Sequence, residues 1–141
     1  SPLIFMIHQQ VAVVILNYNN LFFLEKFLPG VLFHSKGCDV YVADNASSDD
    51  SLDYVRSHFP EVRIIETGAN LGYAGGYNRA LAEIPAKYHV LLNSDVEVSA
   101  GWIEPVIALM EKNTTIAACQ PKILSYDDRT AFEYAGAAGG Y

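Results

Sequence analysis

The chain has 141 residues, the length of one ordinary domain and enough to bury a hydrophobic core. Its formal net charge is −7, and its nine lysines and arginines nowhere cluster, which argues against a protein that binds the phosphate backbone of nucleic acids. Hydrophobic residues make up 51% of the chain and charged residues 18%, a balance that favours an α/β fold whose sheet is covered on both faces.

The first ten residues and the cysteines bear on where the protein works. Residues 1–10, SPLIFMIHQQ, lack the basic flank and length of a signal peptide and are too short for a membrane span. We interpret them as a leader or an artificial extension, followed by one domain over residues 11–141. Cys38 and Cys119 are too few for a disulfide framework, so a reducing compartment is the default expectation.

The first strand and helix are predicted near the start of this domain. VAVVILN, residues Val11–Asn17, is a continuous and largely β-branched run, typical of a central parallel strand that is buried on both faces. Asn19 or Asn20 is expected to cap the helix that follows. The apolar residues of that helix follow helical spacing: Leu21, Leu24, Leu28 and Val31.

The same order of strand and helix then repeats along the chain. Further strands are predicted at Val40–Ala43, at VRIIE over residues 62–66 and at YHVLLN over residues 88–93. Helices are expected after a Ser/Asp-rich segment, after a glycine-rich segment and over Trp102–Lys112. This alternation predicts a mostly parallel sheet with right-handed crossovers and helices on both faces. In such folds the ligand crevice lies at the carboxyl ends of the strands, where this chain collects its polar residues.

A group of polar side chains follows the fourth predicted strand. Asn93, Asp95 and Glu97 occupy alternate positions, so they point to the same side of an extended segment. Carboxylate oxygens are hard ligands suited to Mg²⁺ or Mn²⁺, and either ion can bridge a diphosphate. The alternative is a solvated loop with Ser99 as a helix cap, and on this segment alone the loop is favoured by about two to one.

Asp44 and Asn45 follow the second predicted strand. A carboxylate at this position can accept a hydrogen bond from the imide N–H of uracil or thymine, or from ribose hydroxyls. The alternative role is helix capping, for which the Ser/Asp-rich residues 47–50 are all suited. We expect Ser48 or Asp49 to cap the helix and Asp44 to bind the ligand.

GANLGYAGGYNRA, residues 68–80, is the glycine-rich segment. Its glycines allow backbone to approach a ligand or a strand closely and to present amides at a helix N-terminus. The spacing matches neither a Walker loop nor a dinucleotide fingerprint. Arg79 adds one fixed positive charge, with an exposed helix face as its alternative location. Elsewhere the four histidines form no pair at metal-ligand spacing, and no Ser or Cys has a recognisable base partner, so a zinc site and covalent hydrolase chemistry have no support.

Four segments, in this order, resemble the nucleotide-sugar-binding half of glycosyltransferase family 2 enzymes with the GT-A fold: VAVVILNYNN, VADNASSDDS, NLGYAGGYNRAL and LLNSDVEV. The rhamnosyltransferase-like branch is the most similar, and there Asn93 stands where the first aspartate of a D-x-D motif usually sits. The resemblance implies that Asp44 meets the base and that Asp95 holds Mg²⁺ or Mn²⁺. The nucleotide-sugar-binding residues that it implies are Asn17, Tyr18, Asp44, Asn45, Asn70, Gly72, Arg79, Asn93 and Ser94.

By the same resemblance, the protein transfers a sugar, with inversion, from a UDP- or dTDP-linked donor to a hydroxyl of a glycan or lipid-linked acceptor. This implies bacterial-type surface polysaccharide synthesis in the cytoplasm, at the inner face of the membrane. FEYAGAAGGY, residues 132–141, resembles the start of the segment that leads into the acceptor-binding half, so the general base is expected outside this chain. We therefore expect a domain truncated at its C-terminus that binds a donor without transferring it, and whose apolar edge favours a homodimer.

Two other functions are consistent with the predicted sheet. Sugar-phosphate nucleotidyltransferases resemble chains with a basic glycine-rich loop after the first strand, and NYNNLFFLEK offers nothing similar. A non-catalytic binding domain would be distinguished by the absence of metal-dependent nucleotide affinity.

Overall fold

The computed structural model describes residues 10–112 together with the strand segments 118–119, 121–123 and 132–134. The expected leader, apart from Gln10, and the expected C-terminal truncation lie outside these residues. The strands are β1 Val11–Asn17, β2 Asp39–Asp44, β3 Arg63–Glu66, β4 Tyr88–Asn93, β5 Ala118–Cys119, β6 Pro121–Ile123 and β7 Phe132–Tyr134. The helices are α1 Leu21–His34, α2 Ser51–His58, α3 Gly72–Leu81 and α4 Ile103–Lys112.

The strands β1 to β5 form one parallel sheet in the order β3-β2-β1-β4-β5, which confirms the predicted parallel arrangement. β6 and β7 pair with each other antiparallel. The chain moves outward from β1 to β3 and then returns to the other side of β1, so the strand order switches between β1 and β4. A crevice at the carboxyl ends of the strands is expected at such a switch point.

Two hydrophobic cores cover the two faces of the sheet. Alternate residues of β1 point to opposite faces, so Val13 joins the core beneath α1, α2 and α4, whereas Val14 joins the core beneath α3. This explains why β1 is apolar along its length instead of alternating with polar residues. Helices on both faces are thereby confirmed.

Helix α1 buries Leu24, Leu28 and Val31, as its predicted stripe requires. The prediction that Asn19 or Asn20 caps this helix is wrong. Asn20 stands at the cap position but makes no side-chain cap hydrogen bond, and the backbone amide of Leu21 instead donates to Asp49 Oδ2 at 3.1 Å.

Cys38 carries a free thiol. Burial, followed by the nearby carboxylates of Glu104 and Asp39, raises the pKa of this thiol to about 12. A thiol held in its neutral form is a poor nucleophile, which agrees with the absence of any covalent hydrolase motif. Within the described ranges, no helix combines the length and apolar character needed to cross a membrane.

Candidate functional site

A cavity of about 310 Å³ opens at the carboxyl ends of the central strands, at the switch point between β1 and β4. Seven of the predicted site residues line it: Tyr18, Asn45, Asn70, Gly72, Asn93, Ser94 and Asp95. Three further lining residues were not among the predicted site residues: Leu16, Asn20 and Tyr73. The remaining predicted residues, Asn17, Asp44 and Arg79, are not among the lining residues.

The chemistry of the cavity wall is dominated by neutral amides. Four of the lining residues are asparagines, two are tyrosines, and Asp95 is the one charged residue among the described lining residues. Each amide offers a hydrogen-bond donor and an acceptor, which suits the hydroxyl groups of sugars and the edges of nucleobases. Exposed aromatic rings such as Tyr18, 44% exposed, offer a flat apolar surface to a base.

Asp44 lies behind the cavity wall and is only 1% exposed. Its Oδ1 accepts hydrogen bonds from Asn17 Nδ2 at 2.8 Å and Ser47 Oγ at 2.7 Å, and its Oδ2 accepts one from the Ser47 amide at 2.9 Å. Asn17 is fully buried beside it, and its Oδ1 has no hydrogen-bond partner among the described residues. Because successive side chains at a strand end point to opposite sides, it is Asn45, and not Asp44, that reaches the cavity.

Asn45 is held by hydrogen bonds at both ends of its amide. Its Nδ2 donates to the carbonyl oxygen of Gly72 at 3.0 Å, and its Oδ1 accepts from Thr67 Oγ1 at 2.9 Å. Gly76 packs directly on this side chain, since a Cβ atom there would lie 2.7 Å from Asn45 Nδ2 and 2.7 Å from Leu16 Cδ1. Close approach of α3 to the strand ends therefore explains this glycine of the glycine-rich segment.

The start of α3 forms one side of the cavity. Gly72 has a φ of +74°, in the left-handed region that favours glycine, and its amide donates to Asn70 Oδ1 at 3.1 Å. The next residue, Tyr73, packs edge-on against Tyr77 with the ring centroids 4.9 Å apart. Tyr77 is buried, and its hydroxyl donates to the carbonyl oxygen of Leu92 at 2.9 Å. The Tyr73 ring is therefore placed against the cavity by a buried and anchored neighbour.

The loops after β1 and β2 interlock through side-chain hydrogen bonds to backbone. Asn19 Oδ1 accepts from the amides of Ser48 at 2.7 Å and Asp49 at 3.2 Å. In return, Asp49 accepts from the Leu21 amide at the start of α1 and, at 3.0 Å, from the Ser51 amide at the start of α2. The prediction that Ser48 or Asp49 caps α2 misses the cap position, which Asp50 occupies, although Asp49 does accept the first amide of that helix.

The segment after β4 alternates between exposed and buried side chains. Asn93, Asp95 and Glu97 are exposed, whereas Ser94, at 7% exposed, is buried together with the valines that follow it. Ser94 and Asp95 form a turn and not the extended segment that the prediction assumed, and only Asn93 and Asp95 of the three polar residues line the cavity.

Oxygen ligands for a divalent cation are present at this rim, but they are few. The Asp95 carboxylate and the Asn93 amide both line the cavity. Among the described residues, no group of three or more His, Cys, Asp or Glu side chains could hold a metal ion. Mg²⁺ is commonly bound by one or two carboxylates and completed by water and substrate phosphates. The donor set therefore fits an ion that is shared with an anionic ligand, and not an ion caged by protein groups alone.

Arg79 lies on the exposed side of the last turn of α3 and forms a salt bridge with Glu83. The two residues are four apart, a spacing that places side chains next to each other on a helical surface. The exposed helix face, the alternative location for Arg79, is therefore where the structure puts it.

A model of the family described as "Glycosyl transferase family 2" matches residues 12–137. The chain belongs to glycosyltransferase family 2. Among family relatives, an N-acetylglucosaminyl-diphospho-decaprenol L-rhamnosyltransferase of Mycobacterium tuberculosis is 28% identical over 116 residues, covering 74% of this chain and 38% of the relative. The chain thus spans well under half the length of that relative.

Solved structures of glycosyltransferases share the fold of this family 2 chain. A mannosyltransferase from Pyrobaculum calidifontis, solved in complex with GDP-Man and Mn²⁺, aligns with a TM-score of 0.67 at 21% identity, covering 76% of this chain and 33% of that one. TarS from S. aureus, in complex with UDP-GlcNAc, aligns with a TM-score of 0.67 at 17% identity, covering 86% and 36%. The expected GT-A fold is confirmed.

Proposed function

We propose that this chain is the donor-binding portion of an inverting glycosyltransferase that moves a sugar from a nucleoside-diphosphate sugar to an acceptor hydroxyl. The observation that carries the proposal is the cavity at the switch point of a family 2 chain, lined by four asparagine amides, with Asp95 at its rim. Neutral hydrogen-bonding groups suit the nucleoside and the sugar, whereas the diphosphate needs a positive charge that this wall does not supply.

The nucleoside is assigned to the part of the cavity nearest Tyr18 and Asn45. The exposed ring of Tyr18 stacks on the base, and the amide of Asn45, already oriented by Thr67, presents its remaining hydrogen-bonding capacity to the base or the ribose. Asp44 and Asn17 have a structural role, because the hydrogen bond between their side chains joins the ends of β2 and β1 behind the cavity wall. The base contact expected of Asp44 is thereby reassigned to its neighbour.

The diphosphate is assigned to the rim formed by Asn93, Ser94 and Asp95. Asp95 would hold a Mg²⁺ or Mn²⁺ ion there, and the ion would supply the positive charge that neutralises a departing diphosphate. An acidic chain with net charge −7 repels an anionic donor, and the carboxylate at the rim adds to that repulsion unless a cation lies between them. Arg79 would have to break its salt bridge with Glu83 to contact the diphosphate, so we do not assign it as the main diphosphate-binding group.

The biological setting is proposed from the relatives. The name of the M. tuberculosis rhamnosyltransferase includes the diphosphate-linked group N-acetylglucosaminyl-diphospho-decaprenol. The two solved structures contain GDP-Man and UDP-GlcNAc. We propose a UDP- or dTDP-linked donor, a glycan or lipid-linked acceptor, and a role in cell-surface polysaccharide synthesis in the cytoplasm at the inner face of the membrane. The general base is assigned to the acceptor-binding part of the enzyme, and the homodimer stays a prediction.

Calorimetry on this chain tests the proposal. UDP and dTDP are titrated with and without Mn²⁺ into the unsubstituted chain, into Asp95→Asn, and into Asp39→Asn as a control with the same chemical change at the opposite end of β2. We expect Mn²⁺ to tighten nucleotide binding by at least about tenfold in the unsubstituted chain and the control, and to have no effect in Asp95→Asn. The melting temperature of Asp95→Asn should match that of the control, since Asp95 is exposed.

The outcomes separate the alternatives. Equal nucleotide affinity with and without Mn²⁺ would remove the proposed role of Asp95. The absence of any nucleotide affinity would favour a non-catalytic interaction domain. A sugar-phosphate nucleotidyltransferase is disfavoured by the cavity, because no lysine or arginine is found among its described lining residues.

A further inference from the structure

We propose that Asn20 is a positioning residue that fixes the Ser94–Asp95 segment at the rim of the cavity. This inference rests on the proposed function, because it concerns how the cation-binding carboxylate is held. Asn20 Nδ2 donates to Ser94 Oγ at 2.9 Å, a contact between residues 74 apart in sequence. Both residues line the cavity, and Asp95 follows Ser94 directly.

The position of Asn20 in the chain makes this contact unusual. Asparagine directly before a helix usually turns its side chain back to accept a hydrogen bond from the first turn. Asn20 precedes α1 but makes no such bond, and the first amide of the helix, that of Leu21, donates to Asp49 Oδ2 from the neighbouring loop. The Asn20 side chain instead reaches across the cavity, where its Nδ2 donates to Ser94 Oγ.

The backbone around Asn20 is held firmly enough for it to serve as an anchor. Asn19 adopts the left-handed region with a φ of 52°, and its side chain and amide bond to residues of the loop after β2. The amide of Asn19 donates to Ser47 Oγ at 2.9 Å, and that hydroxyl in turn donates to buried Asp44. Hydrogen bonds thus tie Asn19 to the end of β2 and Asn20 to the segment after β4, and the backbone between these two neighbours joins the two sets.

Because Ser94 is held in place, the residue that follows it, Asp95, is also restricted. β4 ends at Asn93, so Ser94 and Asp95 lie beyond the last regular strand residue. In this turn Ser94 is buried and Asp95 is exposed at the rim, so a fixed Ser94 limits the orientations open to its neighbour. Without the Asn20 amide, Ser94 loses its partner, and the Asp95 carboxylate samples orientations that do not meet a shared cation. Residues that orient a ligand without touching the ion typically change metal affinity by 10–100-fold when removed.

Three variants of the chain test this inference by electron paramagnetic resonance, which measures bound Mn²⁺ in the presence of UDP. Asn20→Ala removes the amide, and we expect Mn²⁺ affinity to fall by about tenfold. Asn20→Asp keeps the shape and can accept a hydrogen bond from Ser94 Oγ, so we expect affinity at or above that of the unsubstituted chain. Asn78→Ala, on the exposed side of α3, is the control and should leave affinity unchanged.

The outcomes distinguish this inference from the proposed function. Unchanged Mn²⁺ affinity in Asn20→Ala, or an equal loss in Asn20→Ala and Asn20→Asp, would overturn the positioning role while the role of Asp95 stands. If the unsubstituted chain binds no Mn²⁺ with UDP, both the cation site and the positioning role fall. If Asn20→Ala does not fold, Asn20→Asp alone decides, because a loss of affinity in that variant contradicts the inference.

Discussion

The side chain of Asp49 joins the beginnings of α1 and α2. Its Oδ2 accepts from the Leu21 amide, and its Oδ1 accepts from the Ser51 amide and hydroxyl. Burial raises the pKa of this carboxyl, but the hydrogen bonds from Ser51 and Leu21 outweigh it and hold the pKa below its ordinary value. A carboxyl with a lowered pKa in the folded state stabilises the fold above the unfolded-state pKa, and this stabilisation is lost as the pH falls through the folded-state value.

Replacing Asp49 by asparagine tests this linkage. One amide donor of the new side chain faces a backbone N–H, so we expect Asp49→Asn to lower the free energy of unfolding by about 1 kcal/mol at pH 7. The difference from the unsubstituted chain should shrink as the pH falls below about 4, where the aspartate of the unfolded chain begins to protonate before that of the folded chain. Urea unfolding from pH 7 to pH 3, with Asp39→Asn as the control, measures this difference in the free energy of unfolding. A difference that stays constant down to pH 3 would show that the charge of Asp49 has no part in capping.

The sequence predicted that Asp44 binds the ligand and did not predict that its side chain would lie outside the cavity wall. Asp44 was expected to bind and lies buried, whereas Asn45 lines the cavity. A strand buried on both faces has no alternation of polar and apolar residues, so its pattern does not tell which face its last side chain takes. The location of Arg79 could be predicted more directly from the sequence, because Glu83 four residues later indicates a surface ion pair on a helix.

At the scale of the elements, α3 shapes the cavity by lying unusually close to the strand ends. Gly76 faces Asn45 and Leu16, and a Cβ atom would collide with both. Gly30 in α1 is the useful contrast, since a Cβ atom there would meet nothing within 4 Å. The two glycines have the same low helix propensity, so only the close approach distinguishes them.

Alanine substitutions at Gly30 and Gly76 should therefore have opposite effects on stability. Gly30→Ala should raise the free energy of unfolding by up to about 1 kcal/mol, because alanine favours helix. Gly76→Ala should lower it by about 1–3 kcal/mol, because overpacking displaces α3 from Asn45. Urea unfolding of both variants makes the comparison. A Gly76→Ala chain as stable as Gly30→Ala would mean that α3 is not confined by the strand ends.

Most of the elements could be predicted because their signals are local. The β-branched run of β1 and the apolar spacing of α1 and α4 require no knowledge of distant residues. The cap of α1 could not be predicted in the same way, because Asp49 reaches Leu21 from a loop 28 residues further on. The contact between Asn20 and Ser94 is more distant still, and it depends on β1 and β4 being neighbours in the sheet.

For the molecule as a whole, topology places the cavity and charge sets what the cavity requires. The strand order brings the loops after β1, β2 and β4 together, and the alternation of strands and helices predicted that meeting from sequence. The acidic chain offers amides and one carboxylate there, with no cation among the described lining residues. Under the proposed function, a bound divalent ion would let that cavity accept a nucleoside diphosphate.

The most direct measurement of this central claim is a crystal structure of the chain soaked with UDP and Mn²⁺, with the anomalous signal of manganese used to locate the ion. The account predicts the nucleoside in the asparagine-lined cavity against Tyr18, and manganese between the diphosphate and Asp95. Nucleotide bound elsewhere on the chain, or manganese bound away from Asp95 while the nucleotide occupies the cavity, would contradict it.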